Sequence, residues 1–114
     1  MRIVYAAEAP AICLLEALVR MPGRNRLPQD YQLLQIALPG HAEITTFAGD
    51  LPSVAQSQAW GSDWLTRGKT LLAKVPSVIA PYSFNTLINP AHPDATGIRL
   101  VGAQRWDWDE RLAR

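Results

Sequence analysis

Apolar and polar positions along this chain fall into short runs whose period changes several times. Residues 3–7, I-V-Y-A-A, are β-branched and aromatic at their centre and predict a strand that begins almost at the first residue. Glu8-Ala9-Pro10 follows as a helix start, because proline is tolerated in a first turn, where an N–H has no intrahelical partner anyway. Residues 11–20 are strong helix formers and apolar almost all round, which predicts a buried helix ending before Pro22-Gly23. Residues 21–30 read as a polar, solvated connector. Residues 31–38 alternate, with Leu34, Ile36 and Leu38 on one face, until Pro39-Gly40 turns the chain. Residues 43–48 predict a shorter strand, ended by Gly49-Asp50-Leu51-Pro52, and residues 53–61 suit either a loop or a short helix.

A second helix is predicted over 64–73, capped by Ser62 or Asp63, with Trp60, Trp64, Leu65, Leu71 and Leu72 turned to the core. Gly68 falls inside it and weakens it by about 1 kcal/mol relative to alanine. Residues 74–80 predict the next strand. Pro76 has no N–H for a ladder, so this strand is expected at a sheet edge or with a bulge. A loop rich in proline and asparagine comes next. Residues 98–101 and 104–108 read as a terminal strand pair, and Asp109 can cap a last helical turn. Several short β-runs with two good helices, and no regular β-α-β alternation, predict an α+β fold. The expected architecture is a single mixed domain with a mostly antiparallel, twisted sheet and the 11–20 helix buried against it.

Composition narrows this picture. A chain of 114 residues holds one core, so residues 1–114 are expected to form one domain. A charged share of 18% and a net charge of +1 lack the basic footprint of a nucleic-acid binder. Cys13 is the one cysteine, so no intrachain disulfide can form; in its apolar run it reads as a small buried hydrophobe. The start M-R-I-V-Y has no signal-peptide core, and no stretch reaches the roughly 18 apolar residues of a membrane span. The expectation is a cytoplasmic protein with no membrane or direct nucleic-acid contact.

Few residues can carry chemistry. Glu16 interrupts a nearly apolar helix, where a carboxylate is costly to bury unless compensated, and a compensated buried acid is a site candidate. The alternative is a surface pair with Arg20 one turn later. Ser77 shares a strand face with Val75 and Ile79, so its hydroxyl points to a core or a pocket floor, and it lacks the strand-to-helix elbow of a G-x-S-x-G nucleophile. Tyr5 lies mid-strand, where a tyrosine packs its ring and ties down its hydroxyl. Asn85 and Asn89 stand with Pro90, His92 and Pro93 in a stiff polar loop, where asparagines commonly bond their own backbone. His92 could act as a base or, with Asp94, hold a metal. His41 and His92 are the only histidines and no C-x-x-C or H-x-x-x-H spacing exists, so no metal site is expected. A triad of Ser77, His92 and Asp94 would need two members on one tight proline-flanked loop.

Three segments carry a resemblance: V-Y-A-A-E-A-P-A-I-C-L-L-E-A-L-V, V-P-S-V-I-A-P-Y-S-F-N-T-L-I-N-P-A-H-P-D and W-D-W-D-E-R-L. Together they resemble the RES domain family, named for an arginine, a glutamate and a serine, over essentially the whole chain. The resemblance implies an ADP-ribosyltransferase-like fold and a toxin of a bacterial type II toxin–antitoxin pair that consumes NAD. It places Glu16 at the family's glutamate and Ser77 at its serine, adds Tyr5 as a pocket tyrosine, and matches residues 85–93 to the pattern N-x-L-x-N-P-x-H-P. The implied catalytic residues are Glu16, Ser77 and Tyr5, with Tyr5, Ser77 and Asn85 binding NAD as substrate and no metal required. The implied partner is an Xre-type helix-turn-helix antitoxin, with a homodimer as one arrangement inside the complex.

The implied reaction breaks the nicotinamide–ribose bond through an oxocarbenium-like state, for which Glu16 would stabilise the developing positive charge. Water, phosphate or a protein side chain as acceptor would make it hydrolysis, phosphorolysis or ADP-ribosylation. The family's arginine, in a G-G-R-W-N-like motif on an earlier segment, has no match in residues 1–114. A diphosphate held without that guanidinium loses a charge-assisted contact. Residues 1–114 alone are therefore expected to bind NAD poorly and turn it over slowly or not at all, and an upstream extension to restore both. Two other readings stand beside this one: an inactive RES-fold module that only binds its antitoxin, and a small hydrolase using Ser77.

Overall fold

The computed structural model describes residues 3–19, 31–50, 53–106 and 111. In chain order the elements are β1 (Val4–Ala7), α1 (Pro10–Val19), β2 (Gln32–Ala37), β3 (Ile44–Thr46), α2 (Val54–Arg67), β4 (Leu72–Pro76), β5 (Phe84–Ile88), a 3-10 helix (Pro93–Gly97) and β6 (Arg99–Arg105). They make an α+β domain with a four-stranded sheet in the order β1-β5-β4-β3 and a two-stranded sheet of β2 and β6. Every pair is antiparallel except β3 with β4.

Strand β4 is the centre of the fold, and alternate side chains go to opposite faces of a strand. Ala73 and Val75 join Leu87 of β5 in a cluster closed by Trp64 and Leu65 of α2, with Ile3, Phe47 and Trp60 around it. Leu72 and Ile88 point the other way and cluster with Leu71, against Ile36 of β2, Ala6, Ala42, Ala95 and Ile98. A strand buried on both faces reads as an apolar run without alternation, which is why L-L-A-K-V resembled a helix end as much as a strand.

Helix α2 differs from the sequence expectation. It begins at Val54, ten residues before the predicted start, because Ser53 and Gln56 form a capping box: Ser53 Oγ accepts from Gln56 N at 3.2 Å and Gln56 Oε1 accepts from Ser53 N at 3.1 Å. It stops at Gly68, whose φ of +62° and N–H to the Trp64 carbonyl make it a left-handed cap and not a weak interior residue. One hydroxyl then ties three elements together. Thr70 Oγ1 donates to the Leu72 carbonyl at 2.9 Å, accepts from Trp64 Nε1 at 3.0 Å, and lies 2.7 Å from Thr45 Oγ1.

Other expectations are also corrected. β4 spans Leu72–Pro76, not 74–80, and it is a central strand, not an edge. Pro76 is tolerated because β3 ends its pairing at Lys74, so no ladder partner is lost on that side. The expected loop contains β5, the strand between β1 and β4, in F-N-T-L-I. Residues 99–105 are one strand, β6, paired to β2, with Val101 as the extra residue where the register shifts between Gln35 and Ile36. Of the expected apolar face of β2, Ile36 packs on the core while Leu34 is 56% exposed. Helix α1 has no fully buried residue; it is half-buried, with Leu15 and Val19 outside, and the strand it contacts, β1, is at the sheet edge. The predicted 21–30 connector, the Asp109 cap and the end of the 104–108 strand lie outside the described residues.

Candidate functional site

Ser77 follows β4 directly and is 1% exposed. Its hydroxyl oxygen accepts N–H groups from Ile79 at 3.2 Å and Ala80 at 3.1 Å, while its own N–H bonds the Ser83 carbonyl at 2.8 Å. This closes the turn between β4 and β5, where Tyr82 sits at φ +63° with its side chain in solvent. A hydroxyl that already accepts twice has only its proton left to give. That proton goes to Glu16 Oε1 at 3.0 Å. The same oxygen accepts from Asn85 Nδ2 at 2.8 Å.

The three residues come from α1, the β4–β5 turn and β5, so 61 and 69 positions of sequence separate Glu16 from its two partners. Asn85 is held on both sides, paired in register with Ala7 of β1 and Val75 of β4. The Glu16 carboxylate is therefore half-buried and compensated by two neutral donors. Arg20, the alternative partner one turn on, lies outside the described residues.

Glu16 and Asn85 line a cleft of about 360 Å³, at the lower end of the range for small-molecule sites. Tyr5 of β1 lines it too, 51% exposed. Ser77 is not on its wall: it stands behind Glu16 and reaches the cleft only through that carboxylate. Cys13 and Ala17 of α1 share the Glu16 side, so Cys13 is a half-buried wall residue and not the core thiol expected.

The opposite side belongs to the other sheet. Tyr31, Leu33 and Trp106 line it, with Trp106 N bonding the Tyr31 carbonyl at 3.0 Å. Sequence reasoning missed this aromatic wall, since Tyr31 and Trp106 meet only because β2 and β6 pair, Gln32 opposite Arg105. No lysine or arginine is among the described lining residues.

The remaining candidates have local roles. Asn89 is buried and its Oδ1 accepts from Ala91 N at 3.0 Å, fixing the loop. His92 Nδ1 accepts from Asp94 N at 3.1 Å and so caps the 3-10 helix. Asp94 is 3.6 Å from His41 Nε2. These groups lie off the cleft wall, and no cluster of three metal-ligating side chains exists among the described residues. No described helix is long and apolar enough to cross a membrane.

The family model described as "RES domain" matches residues 1–109. Among curated proteins, the chain is 39% identical over 123 aligned positions to a "Prs ADP-ribosylating toxin" of Sphingobium sp., covering 98% of this chain and 75% of that one. It is 34% identical to a "Toxin Res" of Pseudomonas putida, covering 86% and 71%, and 32% identical to a "Toxin Res" of Photorhabdus laumondii, covering 80% and 62%.

Proposed function

This chain belongs to the RES domain family, and from that premise we propose that it is a toxin that breaks the nicotinamide–ribose bond of NAD. The observation that carries the reading is the Glu16 carboxylate, held by Ser77 and Asn85 at the wall of a cleft that Tyr5 shares. As the bond from C1′ to the nicotinamide nitrogen breaks, its electron pair leaves with neutral nicotinamide and positive charge develops on the ribose. A carboxylate fixed before the reaction stabilises that charge without having to reorganise. An acceptor oxygen then bonds C1′ and releases its proton.

Aromatic surface at Tyr5, Tyr31 and Trp106 suits a planar base. The lining as described brings no cation to the diphosphate, and an arginine such as the family's motif implies would supply one. Ser77 suits the part of a buried holder better than that of a hydrolase nucleophile, since its proton goes to a carboxylate and no histidine bonds it among the described residues. The partner expected to silence such a toxin is an Xre-type helix-turn-helix antitoxin, and the compartment that supplies NAD is the cytoplasm.

The test is to follow NAD loss and nicotinamide release with the chain as it stands and with a version carrying the upstream arginine motif. Stoichiometric nicotinamide from the extended version, together with growth arrest on its expression, is the expected result. Absence of nicotinamide from both would overturn the reading, and full activity in the shorter one would mean that another group holds the diphosphate.

A further inference from the structure

The two oxygens of Glu16 are not equivalent. Both donors, Ser77 Oγ and Asn85 Nδ2, converge on Oε1, and no described residue hydrogen-bonds Oε2. A carboxylate held by one donor can still pivot about its terminal torsion, which is broad for glutamate. Two donors arriving at one oxygen from different elements remove that freedom and leave the other oxygen as the presented one. The Ser77 hydrogen is directed by the two N–H groups that occupy its oxygen. Asn85 is directed differently, by a backbone clamped between two strands.

We propose that Asn85 is a positioning residue that pins Glu16 through Oε1, so that Oε2 is the oxygen turned to the reacting ribose. This rests on the NAD-cleaving reading above. It adds a role to the expected NAD contact of Asn85, because one amide hydrogen goes to Glu16 at 2.8 Å while the second hydrogen and Oδ1 remain at the cleft. A positioning residue and a substrate contact predict different kinetics. Loss of a contact made equally to substrate and transition state raises KM, whereas loss of a fixed oxygen lowers kcat.

The test compares Asn85→Ala and the isosteric Asn85→Asp with the parent, in the form of the protein that turns NAD over, using nicotinamide release. With Ala, kcat is expected to fall about ten- to a hundredfold, the scale of one hydrogen bond to a charged group, with KM within a few-fold. Asp has the right shape but sets a second carboxylate against Oε1, so it is expected to be worse than Ala. A space-filling role predicts the reverse order, and a substrate contact predicts raised KM with kcat kept; either result overturns the proposal.

A second measurement does not depend on turnover, so failure of the NAD reading is told apart from failure of this one. In protein with ¹³C-carboxyl glutamate, the Glu16 resonance, identified by its loss in Glu16→Gln, is expected to stand apart from that of exposed Glu8 and to move toward it in Asn85→Ala. An unchanged Glu16 resonance in Asn85→Ala means that Asn85 does not set the carboxylate, whatever the enzyme does with NAD.

Discussion

The two sheets that meet at the cleft are built differently. In the four-stranded sheet, β4 and β5 supply most of the buried hydrophobic residues, and Glu16 is held by groups anchored there. In the two-stranded sheet, β6 has no buried residue and Leu34, Leu100 and Val101 are more than half exposed. One part of the lining thus holds an over-determined carboxylate, and the other, with Tyr31 and Trp106, is lightly supported. The difference matches the two tasks that the proposed reaction sets. A group that must meet a short-lived charge needs a fixed position, while a surface that takes a flat base needs area and tolerates movement.

Core truncation gives the largest expected contrast. Leu87 is 3% exposed, at the contact of β5 with α2. Leu87→Ala is expected to lower unfolding stability by about 2–5 kcal/mol in denaturant titration. The aromatic wall comes next. Trp106→Ala is expected to raise KM for NAD roughly tenfold, about 1.4 kcal/mol, with kcat retained. A fall in kcat instead would mean that the second sheet takes part in placing the reacting atoms. The smallest effect belongs to Leu100→Ala on β6, expected within about 0.5 kcal/mol of the parent. If Leu100→Ala matched Leu87→Ala, the outer face of β6 would be covered in solution and the contrast between the sheets would fail.

How much of this was legible in the sequence divides along the same line. The first strand, the 31–38 and 43–48 strands and the helix after Pro10 announced themselves by local period. Helix α2 departs from its predicted span because the capping box of Ser53 and Gln56, three residues apart, starts it ahead of Ser62 and Asp63, and because Gly68 is its terminator and not an interior weakness. Strand β5 was hidden by Pro81 and Pro90 on its flanks and by Asn85, a poor strand former that sits there to bond Glu16. Glu16 and Ser77 stood out through resemblance and an unusual setting. Their bond could not be read from local pattern, since it joins α1 to the β4–β5 turn across 61 positions of sequence. The pairing of Tyr31 with Trp106 was equally non-local.

In the proposed reaction the Glu16 charge serves the transition state and not the binding of NAD. The measurement that tests it most directly is kcat and NAD affinity for Glu16→Gln beside the parent, in the form of the protein that turns NAD over. Glutamine keeps the shape and loses the charge. The expected result is a fall in kcat of about a hundredfold or more with affinity changed only a few-fold. Undiminished turnover, or affinity lost in step with kcat, would contradict it.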